Sequence, residues 1–246
     1  MSDPARNKSP VVHRRVLLKI GGEWLAGPGD RGVDVAAAGR AADRIVRLAT
    51  LGVEIGVVVG GGNLVRGGKL AGGALRRTTA DAMGMLATVI NALVLAEGLG
   101  ARGHETRVLS AFEVGGFAER FSAAAARRHL EAGRIVFAAG GLGNPLFTTD
   151  TCAAVRAVEL GAALLVKATN VDGVYAADPA VEPDAERFTS LTYGAVIDRR
   201  LGVMDITAVT LCMENDLPVV VLNFAQDGAL EAVVRGDRSV GTWIGS

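Results

Sequence analysis

The chain has 246 residues, half of them hydrophobic and few aromatic, with 26 basic and 26 acidic side chains and two cysteines. That length suits one large α/β domain with an aliphatic core. Zero formal charge argues against a dedicated nucleic-acid binder, and two cysteines are too few for a disulfide framework or a four-ligand metal site. Residues 1–14 are polar and read as a flexible N-terminal extension without the apolar segment of a secretory signal, which leaves 15–246 as a single domain in the cytoplasm.

The first predicted strand, Val16–Ile20, closes on Lys19-Ile20-Gly21-Gly22-Glu23. A lysine embedded at the end of an apolar strand, followed by two glycines, puts a cation beside backbone that can approach a phosphate closely. A helix over Val35–Leu51, stopped at Gly52, leads to a second strand, Gly56–Val59. That strand runs into Gly60-Gly61-Gly62-Asn63, with Arg66 three residues on. Consecutive glycines expose successive N–H groups that can cradle an anion, and Arg66 adds a planar fork for phosphate oxygens. No Gly-x4-Gly-Lys-Ser/Thr pattern occurs, so the site is not a Walker-type loop.

A long helix is predicted over Ala80–Gly98. Asp81 stands near its start, where a carboxylate also complements the helix dipole, and Met83 and Met85 read as core. Its apolar run, Met83–Leu95, is interrupted by Asn91 and falls short of the ~20 residues of a membrane span. A strand at Arg107–Leu109, a helix at Ala123–Ala132 ending at Gly133, and a strand at Ile135–Ala138 follow. Then comes Gly143-Asn144-Pro145-Leu146-Phe147-Thr148-Thr149-Asp150, ahead of a helix over Thr151–Leu160 that stops at Gly161. The threonines and Asp150 could simply cap that helix, or the helix start could hold an anion.

Strand Leu164–Lys167 leads to Asp172-Gly173, a good hairpin turn, and on to Tyr175 and Asp178, an aromatic and a carboxylate suited to a purine and its ribose or exocyclic amine. Helix Ile206–Asn215, strand Val219–Leu222 and helix Ala229–Arg235 complete the pattern, and Cys152 and Cys212 read as small core residues. The strands lack polar alternation, as parallel strands covered on both faces do. The alternation of strands and helices predicts a three-layer αβα sandwich around a mostly parallel sheet, with ligands beyond the strand ends.

The stretches GGGNLVRG, DAMGMLATVINAL, GNPLFTTD, KATNVDGVYAADP, LTYGAVI and VMDITAVTLCMENDLPVVVLNF, in that order, resemble the bacterial uridylate kinases of the amino-acid-kinase superfamily. The resemblance implies transfer of the γ-phosphoryl group of ATP to UMP in pyrimidine nucleotide synthesis, with Mg²⁺ carried by the nucleotide phosphates rather than by protein ligands. It implies ATP contacts at Lys19, Ile20, Gly21, Gly22, Gly62, Arg66, Thr169, Tyr175 and Asp178. It places UMP at Gly61, Asp81, Leu142, Gly143, Asn144, Pro145, Leu146, Phe147, Thr148 and Thr149. Lys19, Arg66, Asp150 and Asp205 take the catalytic roles, the two carboxylates organising Lys19 and the phosphates.

It further implies a homohexamer and the effectors GTP and UTP, with Arg107 and Arg134 as candidate GTP contacts, and neither a nucleic-acid nor a membrane partner. The chain departs from the family pattern at Gly21, usually Ser, and at Leu142, commonly Thr. The rival reading is a non-catalytic ATP-binding storage protein of the same fold, like the molybdenum storage protein.

Overall fold

The computed structural model describes residues 10–27, 29, 31–66, 75–177, 181–182 and 184–246. Strands β1 (Arg15–Ile20), β2 (Glu54–Val59), β3 (Thr106–Ser110), β5 (Ile135–Ala139), β6 (Leu164–Thr169) and β10 (Val219–Asn223) are the six expected from apolar runs, each one or two residues longer. Helices α1 (Val35–Ala49), α2 (Arg77–Gly100), α3 (Ala123–Glu131), α4 (Thr149–Leu160), α6 (Ile206–Glu214) and α7 (Ala229–Val234) are the six expected from the longer Ala-rich stretches. Gly52, Gly133 and Gly161 all take positive φ, as chain reversals after helices require.

Short elements complete the structure: β4 (Glu119–Arg120), β7 (Val174–Tyr175), β8 (Arg187–Phe188), β9 (Ser190–Thr192), β11 (Thr242–Gly245) and helix α5 (Tyr193–Asp198). Nine strands form one sheet in the order β4-β3-β5-β2-β1-β6-β10-β11-β9. Every pairing in it is parallel except β10 with β11. Asp172-Gly173 is not a hairpin turn. β6, before it, pairs with β1 and β10, while β7, after it, pairs antiparallel with β8.

Strand alternation sorts the core into two layers. Val16, Leu18 and Ile20 join the α1, α2 and α7 side, and Leu17 faces α3, α4 and α6. Leu165 faces the same way as Leu17. Period-2 geometry then turns Lys19 and Lys167, two residues further along each strand, toward α4.

α2 is longer than its apolar run and, by length and composition alone, apolar enough to cross a membrane. Here it packs on α1, β3 and β5, burying Ala87, Val89, Ala92, Leu95 and Leu99. Met83, expected in the core, is exposed instead. Residues 10–14, within the expected extension, lie along α7, where the N–H groups of Val12 and His13 both donate to Val234 O.

Candidate active site

The strand ends carry two lysines in register. Lys19 on β1 is the direct partner of Lys167 on β6. Asp150, in the first turn of α4, reaches both: Lys19 Nζ lies 3.0 Å from its Oδ1 and Lys167 Nζ 2.7 Å from its Oδ2. Lys167 also donates to Val203 O. Burial alone raises the Asp150 carboxyl, but the charges and hydrogen bonds of the two lysines outweigh it and hold the group below its ordinary value. Burial lowers Lys167, and the neighbouring Lys19 adds to that, with Asp150 opposing. The triad of two ammonium groups and one carboxylate by itself carries one positive charge, beside a helix start whose dipole favours an anion.

Thr148 is the N-cap of α4, accepting from the N–H groups of Asp150 and Thr151 at 3.1 Å. Its hydroxyl also donates to Asp205, as does that of Thr151 at 2.8 Å. Asp205 in turn caps α6 through Ala208 N. It accepts from the two threonines rather than from Lys19, and so ties the start of α6 to the helix start that carries Asp150.

The glycines after β1 and β2 explain themselves by close approach. A Cβ on Gly22 would lie 2.3 Å from Asn63 Oδ1 and 2.7 Å from Gly60 O. One on Gly61 would lie 2.7 Å from Gly84 O and 2.8 Å from the Ala87 methyl, so Gly61 packs directly on α2. Gly62 is open, with Arg66 as its nearest neighbour at 3.9 Å. Arg66 Nε donates back to Gly62 O. At Gly21 the three atoms nearest an added Cβ all belong to the exposed Glu23 carboxylate, the far end of a flexible side chain that can swing away.

Two cavities lie near these strand ends, and Lys167 lines the second of them. The first, of about 290 Å³, is lined by Gly61, Gly62, Asp81, Leu142, Asn144, Phe147, Thr148 and Thr149 from the expected sets, together with Val65, Arg77, Gly84, Met85, Thr88 and Gly141. Gly143, Pro145 and Leu146 belong to the same loop without lining the space. The Leu146 N–H donates to Asp81 Oδ2 at 3.0 Å, and Arg77 Nε grips both Asp81 oxygens. Met85, expected in the core, lines this cavity, and Thr88 on the same helix accepts from Gly140 N.

The second cavity, of about 570 Å³, is lined by Lys167, Thr169, Asn170, Val171, Gly173, Val174, Tyr175, Ala176, Ala177, Val203 and Val221, with Arg199, Arg200, Leu201 and Gly202 opposite. Tyr175 donates its hydroxyl to Asp172, a bond that raises its phenol above the ordinary value. Asp178 lies outside the described residues. The Ile20 side chain is fully buried in the α1–α2 layer, so only its backbone can face a ligand, and its carbonyl accepts from Gly60 N.

Sequence reasoning passed over Lys167, Arg77, Thr88 and the pair Arg199–Arg200. Lys167 carries the same signal as Lys19, a lysine closing an apolar strand. The others depend on which loop folds over which strand end.

The sequence pattern of the amino acid kinase family matches residues 14–223. The chain belongs to the amino acid kinase family. A uridylate kinase of Methylococcus capsulatus is 49% identical over 226 residues, 92% of this chain and 95% of that protein. A uridylate kinase of Rhodopseudomonas palustris is 47% identical over 225 residues, 92% of this chain and 94% of that protein. The UMP kinase from Bacillus anthracis superposes with a TM-score of 0.91 at 33% identity, covering 95% of this chain and 96% of its own. Within the family, the chain therefore groups with the uridylate kinases, and the three-layer fold with a mostly parallel sheet is theirs.

Proposed function

We propose that the chain is a UMP kinase that moves the γ-phosphoryl group of ATP to a phosphate oxygen of UMP. The observation that carries this reading is the placement of the lysine pair. Thr148 and Thr149 line the first cavity, Asp150 follows them directly, and Lys167 lines the second. Two polyanions approaching from opposite cavities would meet at these ammonium groups.

In the proposed reaction a UMP phosphate oxygen bonds to the γ-phosphorus as the bond to the β–γ bridging oxygen breaks, giving UDP and ADP. The acceptor oxygen is already anionic, so no strong base is required. The demand on the protein is positioning and charge neutralisation. Lys19, Lys167 and the helix start at Asp150 supply positive charge where the transferring group gains negative character. Tyr175 and Thr169 take the ATP side. Asp81 and the 142–149 loop take the UMP side, with Asp81 accepting from ribose hydroxyls. Leu142 offers an apolar wall where the family pattern has a hydroxyl.

Among the described residues no cluster of three His, Cys, Asp or Glu side chains is placed to hold a metal, and Asp150 and Asp205 are both already engaged. The proposed reading keeps the magnesium ion on the nucleotide phosphates, where it would neutralise further charge. The proposal includes a homo-oligomer, a hexamer by family resemblance. Met83, Leu86 and Ile90 form an exposed apolar strip at i, i+3, i+7 on α2, which a second copy would cover. It also keeps GTP and UTP as effectors. Arg107 and Arg134, the candidate contacts, are ion-paired to Glu119 and Glu105.

A coupled assay for ADP release against UMP, CMP, dUMP and AMP tests the reading, with UMP expected to be much the best acceptor. ATP binding without acceptor-dependent turnover, together with co-purifying oxometalate, would favour the storage reading instead.

A further inference from the structure

Asn63 and Asn91 are two buried amides, 3% and 0% exposed. Asn91 lies in the middle of α2, on the face that buries Ala87, Ala92, Leu95 and Leu99. Its amide donates to Gly60 O and to Asn63 Oδ1, both at 2.7 Å. Asn63 answers with its own amide, to Asn91 Oδ1 at 3.2 Å and to Gly32 O at 2.7 Å. All four amide hydrogens of the pair are thus used inside the protein, and each side-chain oxygen accepts one of them. A buried network satisfied this completely rigidifies the elements it joins.

Resting on the UMP-kinase reading above, we infer that Asn91 and Asn63 are positioning residues that aim the backbone of the Gly60–Asn63 loop at the nucleotide phosphates. The geometry follows from the peptide unit. Gly60 C=O and Gly61 N–H belong to one planar trans peptide and point in opposite directions. Pinning the Gly60 carbonyl onto Asn91 turns the Gly61 N–H away from the helix. Asn63 fixes the other end of the loop, and its side-chain oxygen would lie 2.3 Å from a Cβ on Gly22, so the same pair sets the spacing to the glycines after Lys19. α2 therefore acts as a splint. Asp81 and Thr88 on it hold the 140–149 loop, and Asn91 holds the Gly-rich loop.

Such a role has a signature that mere stabilisation lacks: the loss should be confined to ligands that carry phosphate. The full-length enzyme and its Asn91→Leu, Asn63→Ala and double variants are compared by steady-state kinetics, thermal melting, and calorimetric binding of ATP against adenosine and UMP against uridine. If Asn91→Leu does not fold, Asn91→Ser takes its place. Each single variant is expected to lower kcat about tenfold or more and the preference for ATP over adenosine by a similar factor, with nucleoside binding unchanged. The double variant should be no worse than the worse single one, because the pair acts as a unit. Folded variants with unaltered kcat and unaltered ATP-over-adenosine preference would overturn the inference, as would equal losses for nucleoside and nucleotide. A wild-type enzyme without UMP-dependent ADP release would instead sink the proposed reaction, and the ATP-over-adenosine comparison would still judge the asparagines.

Discussion

Lys19 and Lys167 are register partners on neighbouring parallel strands, and a single carboxylate, Asp150, answers both. Removing one lysine therefore leaves Asp150 paired and the strand ends intact. Lys19→Ala is expected to keep its fold and its UMP affinity while kcat falls about a hundredfold or more, the scale of losing one preorganised charge donor. The effect should fall on kcat rather than KM, because the charge is needed most as the phosphoryl group moves. Lys19→Arg should not restore the rate, since a planar guanidinium does not reproduce a compact ammonium in this space. Steady-state kinetics with a thermal melt decide the point, and a folded Lys19→Ala enzyme with near-wild-type kcat would remove the proposed mechanism.

Asp150→Asn tests the same triad through stability. The carboxyl is held below its ordinary value of 3.8 in the folded chain, so its contribution is present above that value and is lost as pH falls through the lower folded one. At neutral pH the variant leaves two largely buried lysine side chains without the Asp150 charge and should melt earlier than wild type. On acidification wild-type Asp150 takes up a proton and becomes the neutral equivalent of the variant. The gap in melting temperature should therefore close below pH 3.8. A gap that stays constant through that range would mean that charge on Asp150 does not stabilise the fold.

The long elements were legible because each strand is built around an apolar run and five of the six long helices, all but α6, end within three residues of a glycine. The short ones, β4, β7, β8, β9, β11 and α5, hold only two to six residues and take their shape from neighbours rather than from propensity. The site divides along the same line. Lys19, Asp81 and Asp150 stand at predicted element ends and could be read directly. The link from Asp205 to Thr148 and Thr151 spans more than fifty residues and depends on how α4 packs against α6. Asn91 read as a flaw in an apolar run, because its partners, Gly60 and Asn63, are 31 and 28 residues away.

Tyr175 presents its ring to the second cavity with its hydroxyl tied to Asp172. Tyr175→Ala should weaken ATP by about two- to tenfold, the scale of a lost aromatic contact, and leave UMP unchanged. Tyr175→Phe keeps the ring and should stay close to wild type. Separate titrations of the two nucleotides check this. A shift in UMP with ATP unmoved would mean that the two cavities have been assigned the wrong way round.

The α2 strip is the expected site of assembly. Leu86 and Ile90 are each about half exposed, an unusual state for leucine and isoleucine side by side on one helix face. Light scattering should give an oligomer for the wild-type chain and a smaller species for Ile90→Glu, which puts a charge into the apolar strip. A monomeric wild-type mass at working concentration would remove the claim.

In the proposed reaction Asp81 is the residue on which the acceptor side turns. Its carboxylate receives Arg77 from its own helix and the Leu146 N–H from the facing loop, so it already closes one wall of the first cavity. Leu146 holds a φ of 76°, a conformation that costs a leucine energy and that this hydrogen bond helps to maintain. Asp81→Asn keeps the size of the group but replaces a charged acceptor with a neutral one. Loss of a charge-assisted hydrogen bond to a ribose hydroxyl costs about 1.5–3 kcal/mol, so KM for UMP should rise roughly ten- to a hundredfold. KM for ATP, bound in the other cavity, should move little. Arg77→Ala removes the neighbour but leaves the carboxylate, and should raise KM for UMP less than Asp81→Asn does. Kinetics with each nucleotide varied in turn, on protein checked by thermal melt, separate these outcomes. Equal rises in both KM values at unchanged stability would place Asp81 outside the acceptor site.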